Sequence, residues 1–130
     1  AIAAKIVEPN RAVVCAAGDG CFMMTSQELA TAMQYDAAVI FLVFNNSMYG
    51  TIRMHQEKHY PKRVSAPNLQ NPDFVAYAKA FGLEAYRVTE TSQFMETFKK
   101  AEAAGKAALI EVMVDPEAIS PAANLSDLGK

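Results

Sequence analysis

The chain has 130 residues, of which 52% are hydrophobic, and its 12 basic and 14 acidic side chains give a formal net charge of −2. This length allows one domain with a buried core and is too short for two ordinary domains, so we predict a single domain over residues 1–130. No basic cluster indicates a nucleic-acid partner, and the longest apolar run, 37–44, is much shorter than a membrane span. The two cysteines, Cys15 and Cys21, do not form a CxxC pair. Unpaired thiols fit a reducing cytoplasm, which we predict as the location.

The first part of the chain predicts a helix, a strand and a second helix. Residues 1–7 are helix-prone, and because a domain that begins inside a helix is typical of a trimmed protein, we predict an N-terminally truncated domain. The small and β-branched run at 11–17 predicts a strand buried on both faces. Gly18-Asp19-Gly20 predicts a turn after it. A helix is then predicted from Thr25 to about residue 35, with Ser26 or Thr25 as its N-cap and Glu28 placed for a capping box with Thr25.

The second part repeats the alternation of strand and helix. Residues 38–44 form the most apolar stretch, predict a strand, and are followed by Asn45-Asn46-Ser47, a second turn signal. The later predicted elements are helix 49–59, a proline-rich loop, helix 74–81, strand 84–88, helix 91–104, strand 107–114 and an extended tail from about 115. This alternation predicts an α/β fold with a mostly parallel sheet in three layers, with helices on both faces.

Both turn signals follow predicted strands, which is where open parallel sheets bind ligands. Gly18 and Gly20 allow unusual backbone angles and close approach of a ligand, and the amides of Gly20 and Cys21 precede a predicted helix whose N-terminus favours an anion. Asp19 offers an oxygen ligand for Mg²⁺ beside that anion, and Asn46 offers another. Each turn taken alone is most often only a turn.

Taken together, the two motifs resemble those of a known enzyme family. Gly18-Asp19-Gly20 is followed after 24 residues by Asn45-Asn46. This looks like the thiamine diphosphate (ThDP) signature of the family that contains acetolactate synthase and pyruvate decarboxylase. The residues between and after the motifs are also similar to that family: Cys21-Phe22-Met23-Met24, Gln27-Glu28-Leu29, Thr31-Ala32 and Tyr49-Gly50.

The resemblance implies a set of binding residues. Mg²⁺ would be bound by Asp19, the side chain of Asn46 and the main-chain carbonyl of Met48, with ThDP held through its diphosphate. The implied cofactor-binding residues are Gly18, Asp19, Gly20, Cys21, Asn46, Met48, Tyr49 and Gly50. The roles of Glu28 and Tyr49 stay open. Glu28 either caps its helix or belongs to the cofactor site, and Tyr49 either packs in the domain or belongs to that site.

The resemblance also implies an activity and its partners. Members of the family decarboxylate 2-oxo acids, and we expect carboligation in the manner of acetolactate synthase. The activating glutamate belongs to a pyrimidine-binding domain of the same protein or a neighbouring subunit, so a homo-oligomer is expected; FAD is carried elsewhere in some members. No catalytic residue is assigned in this chain, which alone is expected to be inactive. His55 and His59 are interpreted as surface residues rather than as an acid or base.

One departure from the family pattern concerns specificity. Acetolactate synthases commonly carry a Gln-Trp pair soon after the Asn-Asn motif, whereas Met54-His55 stands here and the chain has no tryptophan.

The alternative hypothesis is a non-catalytic ThDP- or nucleotide-binding α/β module. A generic nucleotide-binding domain predicts no dependence on magnesium and no role for Asn46.

Overall fold

The computed structural model describes residues 1–120 and 123–128, and its centre is a four-stranded parallel sheet with the strand order β1-β2-β4-β3. The strands are β1 Val13–Gly18, β2 Val39–Asn45, β3 Glu84–Val88 and β4 Ala108–Met113. The helices are α1 Ile2–Val7, α2 Asp19–Thr25, α3 Leu29–Gln34, α4 Gly50–His59, α5 Phe74–Ala80 and α6 Phe94–Ala103. Val13 of β1 pairs with Val39 of β2, and Ile40 of β2 with Ala108 of β4.

Helices cover the sheet on both faces, which confirms the predicted three-layer α/β fold. Side chains of a strand alternate between faces, so β2 sends Val39, Phe41 and Val43 to one face and Ile40 and Leu42 to the other. The first set packs with residues of α2, α3 and α5, and the second with residues of α6. The apolar run of β2 therefore follows from its position inside the sheet.

The prediction that β1 is buried on both faces was wrong. Its residues alternate between partly buried and exposed, and the side chain of Val14 is 44% exposed. β1 is one of the two edge strands, and within the described residues only its Val13, Cys15 and Ala17 face is packed. Cys15 lies on that packed face as a partly buried residue.

The start of the second helix was also predicted wrongly. β1 continues to Gly18 and α2 begins directly at Asp19, so Thr25 is the last residue of α2 rather than the start of one long helix to residue 35. A 3-10 turn, Ser26–Glu28, joins α2 to α3, and the Thr25 side chain makes no cap hydrogen bond. Glu28 instead accepts a hydrogen bond from Oγ1 of Thr31 at 2.7 Å, so the predicted capping box does not form.

The remaining predicted elements are confirmed with small shifts of their ends. Residues 91–93 form a 3-10 turn before α6. Within the predicted extended tail, Ala118–Ser120 (β5) and Ala123–Asn124 (β6) pair as antiparallel strands before a 3-10 turn at Leu125–Asp127. None of the helices within 1–120 and 123–128 has the length and apolar character of a bilayer-spanning segment.

A partly buried hydrogen bond joins the break between α2 and α3 to α5. Ser26 is only 5% exposed, and its hydroxyl lies 3.0 Å from the hydroxyl of Tyr77. Tyr77→Phe should lower the free energy of unfolding by about 1 kcal/mol, because the Ser26 hydroxyl loses its partner. Urea denaturation measures this, with Tyr35→Phe as the control, since Tyr35 is 60% exposed. Equal losses in the two variants would contradict a role for the Ser26–Tyr77 bond.

Candidate functional site

A cleft of about 450 Å³ opens where β1 and β2 end and α2 and α4 begin. All of the predicted cofactor-binding residues line it: Gly18, Asp19, Gly20, Cys21, Asn46, Met48, Tyr49 and Gly50. The strands β1 and β2 are neighbours and parallel, and Gly18 pairs with Phe44, so their carboxyl ends lie side by side. Adjacency of the two strands is what brings both motifs to one place.

Asp19 links the two strand ends. Its carboxylate is 3% exposed, and Oδ1 accepts a hydrogen bond from the backbone N–H of Gly20 at 2.8 Å. Oδ2 accepts from the backbone N–H of Ser47 at 2.9 Å and from Nδ2 of Asn71 at 2.7 Å. A negative charge at the first position of α2 is also favoured by the helix dipole. Asp19 is thus fixed in place, beside the residue that follows Asn46.

The turn after β2 is held by side chains and by a neighbouring loop. Ser47 has a φ of 56°, a left-handed conformation that residues other than glycine rarely adopt. Oδ1 of Asn46 accepts the Met48 N–H at 3.1 Å, and the Met48 carbonyl accepts the Gly50 N–H at 3.0 Å. The Tyr49 N–H donates to the carbonyl of Pro67 at 2.8 Å. These hydrogen bonds hold the turn in a fixed arrangement beside the cleft, which Asn46, Met48 and Gly50 line.

The prediction that the two glycines of the first motif serve unusual backbone angles was wrong. Gly18 has a φ of −70°, and the glycines with positive φ in the described ranges are Gly82 and Gly105, so neither Gly18 nor Gly20 needs glycine's special angles. A Cβ on Gly20 would lie 2.5 Å from Cε1 of Tyr49, whereas a Cβ on Gly18 would meet nothing within 4 Å. Tyr49 packs directly on Gly20, which favours the packing interpretation of this tyrosine.

This difference predicts opposite outcomes for two matched substitutions. Gly20→Ala should lower the free energy of unfolding by about 1–3 kcal/mol, because the new methyl group overlaps the Tyr49 ring. Gly18→Ala should change it by less than about 0.5 kcal/mol. Urea denaturation measures both, and in a Tyr49→Ala background the Gly20→Ala penalty should disappear. A penalty that persists in that background would show that the ring is not the cause.

The sequence of this chain matches the family model described as thiamine pyrophosphate enzyme, C-terminal TPP binding domain, over residues 1–112. Thiamine pyrophosphate is another name for ThDP. The chain belongs to this family. It is a ThDP-binding domain whose two family motifs meet in the cleft.

Curated relatives of this ThDP domain include acetolactate synthases. The chain is 35% identical over 122 residues to the probable acetolactate synthase large subunit of Methanocaldococcus jannaschii, covering 93% of the chain and 21% of that protein. It is 32% identical over 133 residues to that of Methanococcus aeolicus, covering 98% and 22%. It is 36% identical over 115 residues to the acetolactate synthase of Bacillus subtilis, covering 88% and 20%. The chain thus spans about a fifth of the length of these relatives and corresponds to a domain of a larger enzyme.

Behind the cleft the ThDP domain contains a chain of polar side chains that sequence analysis missed. Asn45 Nδ2 donates to Oε1 of Glu111 at 2.7 Å, and Arg87 Nε donates to Oε2 of Glu111 at 2.7 Å. Glu111 is 2% exposed, and its hydrogen bond raises the pKa of Arg87 above the usual value. Arg87 also donates to Asp73, whose pKa is lowered by the N–H of Ala76 and by Arg87. The signal in the sequence was a lone carboxylate in the apolar strand β4.

Other candidates lie outside the cleft. His55 and His59 are exposed on α4 with their rings stacked 6.1 Å apart, and neither lines the cleft, which favours their interpretation as surface residues. Glu28 is exposed and bonds to Thr31. Met54 does line the cleft. In the part of the chain that the structure describes, no three His, Cys, Asp or Glu side chains cluster as a metal site.

Proposed function

We propose that this domain holds Mg²⁺ through Asp19, the side chain of Asn46 and the carbonyl of Met48, and through that ion the diphosphate of ThDP. The observation that carries the proposal is the hydrogen bond from the Ser47 N–H to Asp19, which joins the two family motifs in one cleft. The donor set fits the ion, because a carboxylate, an amide oxygen and a carbonyl are the hard oxygen ligands that Mg²⁺ prefers. The same set offers little to a softer metal.

The diphosphate is proposed to lie against two helix starts. The backbone of Gly20 and Cys21 belongs to the first turn of α2, and the turn 48–50 leads into α4. The N–H of Gly20 is donated to Asp19 and that of Gly50 to Met48, so the proposal relies on the other first-turn N–H groups, which have no partner within their own helix and favour an anion. Tyr49, which packs on Gly20, forms part of the proposed diphosphate-binding surface.

A substitution at Gly18 should change cofactor affinity without changing stability. Its side-chain direction is open, and it lines the cleft, so a methyl group there occupies ligand space without disturbing the protein. Gly18→Ala should lower the affinity for Mg²⁺–ThDP by about tenfold while the unfolding midpoint stays unchanged. Calorimetric titration and urea denaturation measure the two quantities. Unchanged affinity would place the cofactor away from β1.

For the intact protein that contains this domain, we propose a 2-oxo acid decarboxylase that joins the product to a second carbonyl compound, as its acetolactate synthase relatives suggest. ThDP supplies the carbon nucleophile and the electron sink for such reactions. The residues of this chain bind and orient it: Asp19 and Asn46 fix the metal, and Ile52 and Met54 line the cleft with apolar side chains. The activating glutamate is proposed to come from a pyrimidine-binding domain of the same or a neighbouring subunit, in a homo-oligomer.

The activity test uses the intact protein with Mg²⁺, ThDP and pyruvate, and measures CO₂ release and the carbon products. CO₂ with a ligated hydroxy-oxo acid supports the proposal. CO₂ with free aldehyde alone indicates a simple decarboxylase. ThDP binding without CO₂ release from any 2-oxo acid tested supports the non-catalytic module. The absorbance spectrum of the same purified protein reports whether FAD is bound.

The proposed location is the cytoplasm, which rests on the two unpaired cysteines. Among the relatives, the acetolactate synthase of Schizosaccharomyces pombe and the catalytic subunit of Aspergillus candidus carry the word mitochondrial in their names. Cell fractionation with an antibody to the intact protein distinguishes the two compartments.

A further inference from the structure

A continuous series of hydrogen bonds leads from the buried strand β4 to the proposed metal ligand. Asn45 Nδ2 donates to Glu111 at 2.7 Å, and Oδ1 of Asn45 accepts from Nδ2 of Asn71 at 3.0 Å. The same Nδ2 of Asn71 donates to Oδ2 of Asp19 at 2.7 Å. Glu111 and Asn45 are 2% and 5% exposed, and Asn71 is partly buried.

The carboxylates at the two ends, Glu111 and Asp19, set the direction of the bonds in this series, and the Ser47 N–H also donates to Oδ1 of Asn45 at 3.0 Å. An ionised carboxylate only accepts hydrogen bonds, so Asn45 must turn its amide nitrogen toward Glu111 and its oxygen toward Asn71. Asn71 must then present its nitrogen, and both of its N–H groups are used, one by Asn45 and one by Asp19. Arg87 holds Glu111 from the far side at 2.7 Å.

We propose that Asn71 is a positioning residue for the metal ligand Asp19, an inference that rests on the proposed Mg²⁺–ThDP function. Two donors, Asn71 and the Ser47 N–H, hold Oδ2 of Asp19. Oδ1 accepts only the N–H of Gly20 among the hydrogen bonds of the described residues, so it is the oxygen left for the cation. Outer partners that orient a ligand in this way commonly change metal affinity by 10–100-fold when removed.

The test compares Asn71→Ala with Asn71→Gln in the intact protein, with Gln70→Leu as a control at the exposed neighbouring amide. Calorimetry measures the Mg²⁺ concentration that half-saturates binding of ThDP, and separately the ThDP affinity at saturating Mg²⁺. Asn71→Ala should raise the half-saturating Mg²⁺ concentration about tenfold and leave ThDP affinity at saturating Mg²⁺ unchanged. Asn71→Gln keeps both N–H donors and should stay within about threefold of the parent protein.

If Asn71 only packs, Asn71→Gln should impair binding more than Asn71→Ala. Alanine would leave a small gap in a partly buried loop, whereas the larger glutamine would have to be fitted into it. The inference is overturned if Asn71→Ala leaves the Mg²⁺ requirement unchanged, or if Asn71→Gln is as impaired as Asn71→Ala. It is also overturned if ThDP affinity at saturating Mg²⁺ falls in step with Mg²⁺ affinity. If the parent protein itself binds ThDP without Mg²⁺, the proposed function fails, and the inference fails with it.

Discussion

Asp19→Asn is expected to lower the Mg²⁺-dependent affinity for ThDP by about 100-fold or more, because changes outside the ligand set of metal sites already cost 10–100-fold. The asparagine side chain has the same shape and keeps one oxygen acceptor, but its amide nitrogen must face a donor that now bonds Asp19, so some loss of stability is expected as well. It lacks the negative charge that a divalent ion requires of its one carboxylate ligand in this cleft. Calorimetric titration of ThDP with and without Mg²⁺ measures the loss.

The matched control is Asp36→Asn, which removes an exposed carboxylate just ahead of β2, at the opposite end of the strand from the cleft. Asp36 has a φ of 49°, and asparagine tolerates that left-handed conformation, so the control adds no backbone strain. Its ThDP affinity should equal that of the parent. If Asp19→Asn also keeps its Mg²⁺-dependent affinity within about threefold, Asp19 is not a metal ligand.

Glu111→Leu should produce the largest loss of stability, about 3 kcal/mol in the free energy of unfolding. Leucine leaves Nδ2 of Asn45 buried without an acceptor and removes the carboxylate that faces Arg87. The expected loss lies at the lower end for a broken buried pair because the Arg87 side chain is 42% exposed and keeps contact with water. Urea denaturation followed by circular dichroism measures it.

Glu84→Leu on the neighbouring strand β3 is the control for the loss of a carboxylate. Glu84 pairs with Lys106 at 2.8 Å, but the two side chains are 40% and 52% exposed, and exposed ion pairs contribute little. This variant should unfold at the urea concentration of the parent. Equal destabilisation by both substitutions would mean that the burial of Glu111 does not determine how much it contributes to the free energy of unfolding.

The parts of the fold that were predictable depend on short-range patterns. The run 38–44 is apolar on both faces, and a strand inside a parallel sheet requires that pattern, so β2 followed directly from sequence. The exposure of Val14 depends instead on which strand lies at the edge, and nothing in the residues of β1 encodes its neighbours. The break after Thr25 likewise depends on Tyr77, which reaches Ser26 from 51 residues away.

The same limit applies to the candidate site. Asp19 and Asn46 were identified because both belong to motifs at strand ends, and the parallel pairing of β1 with β2 places those ends together. Asn71 and Glu111 belong to no motif and lie 52 residues from Asp19 and 66 residues from Asn45, respectively. Spacing in sequence carries no information on hydrogen bonds of that range, so only the structure reveals them.

Titration of the parent protein with ThDP, with Mg²⁺ and then with EDTA in its place, tests the central claim most directly. The cleft presents one carboxylate and neutral oxygens, so an ion is needed to hold an anionic diphosphate there. We expect saturable binding with Mg²⁺ and its loss on chelation. Equal affinity in the presence of EDTA would contradict a metal site at Asp19 and Asn46 and would favour a generic nucleotide-binding cleft.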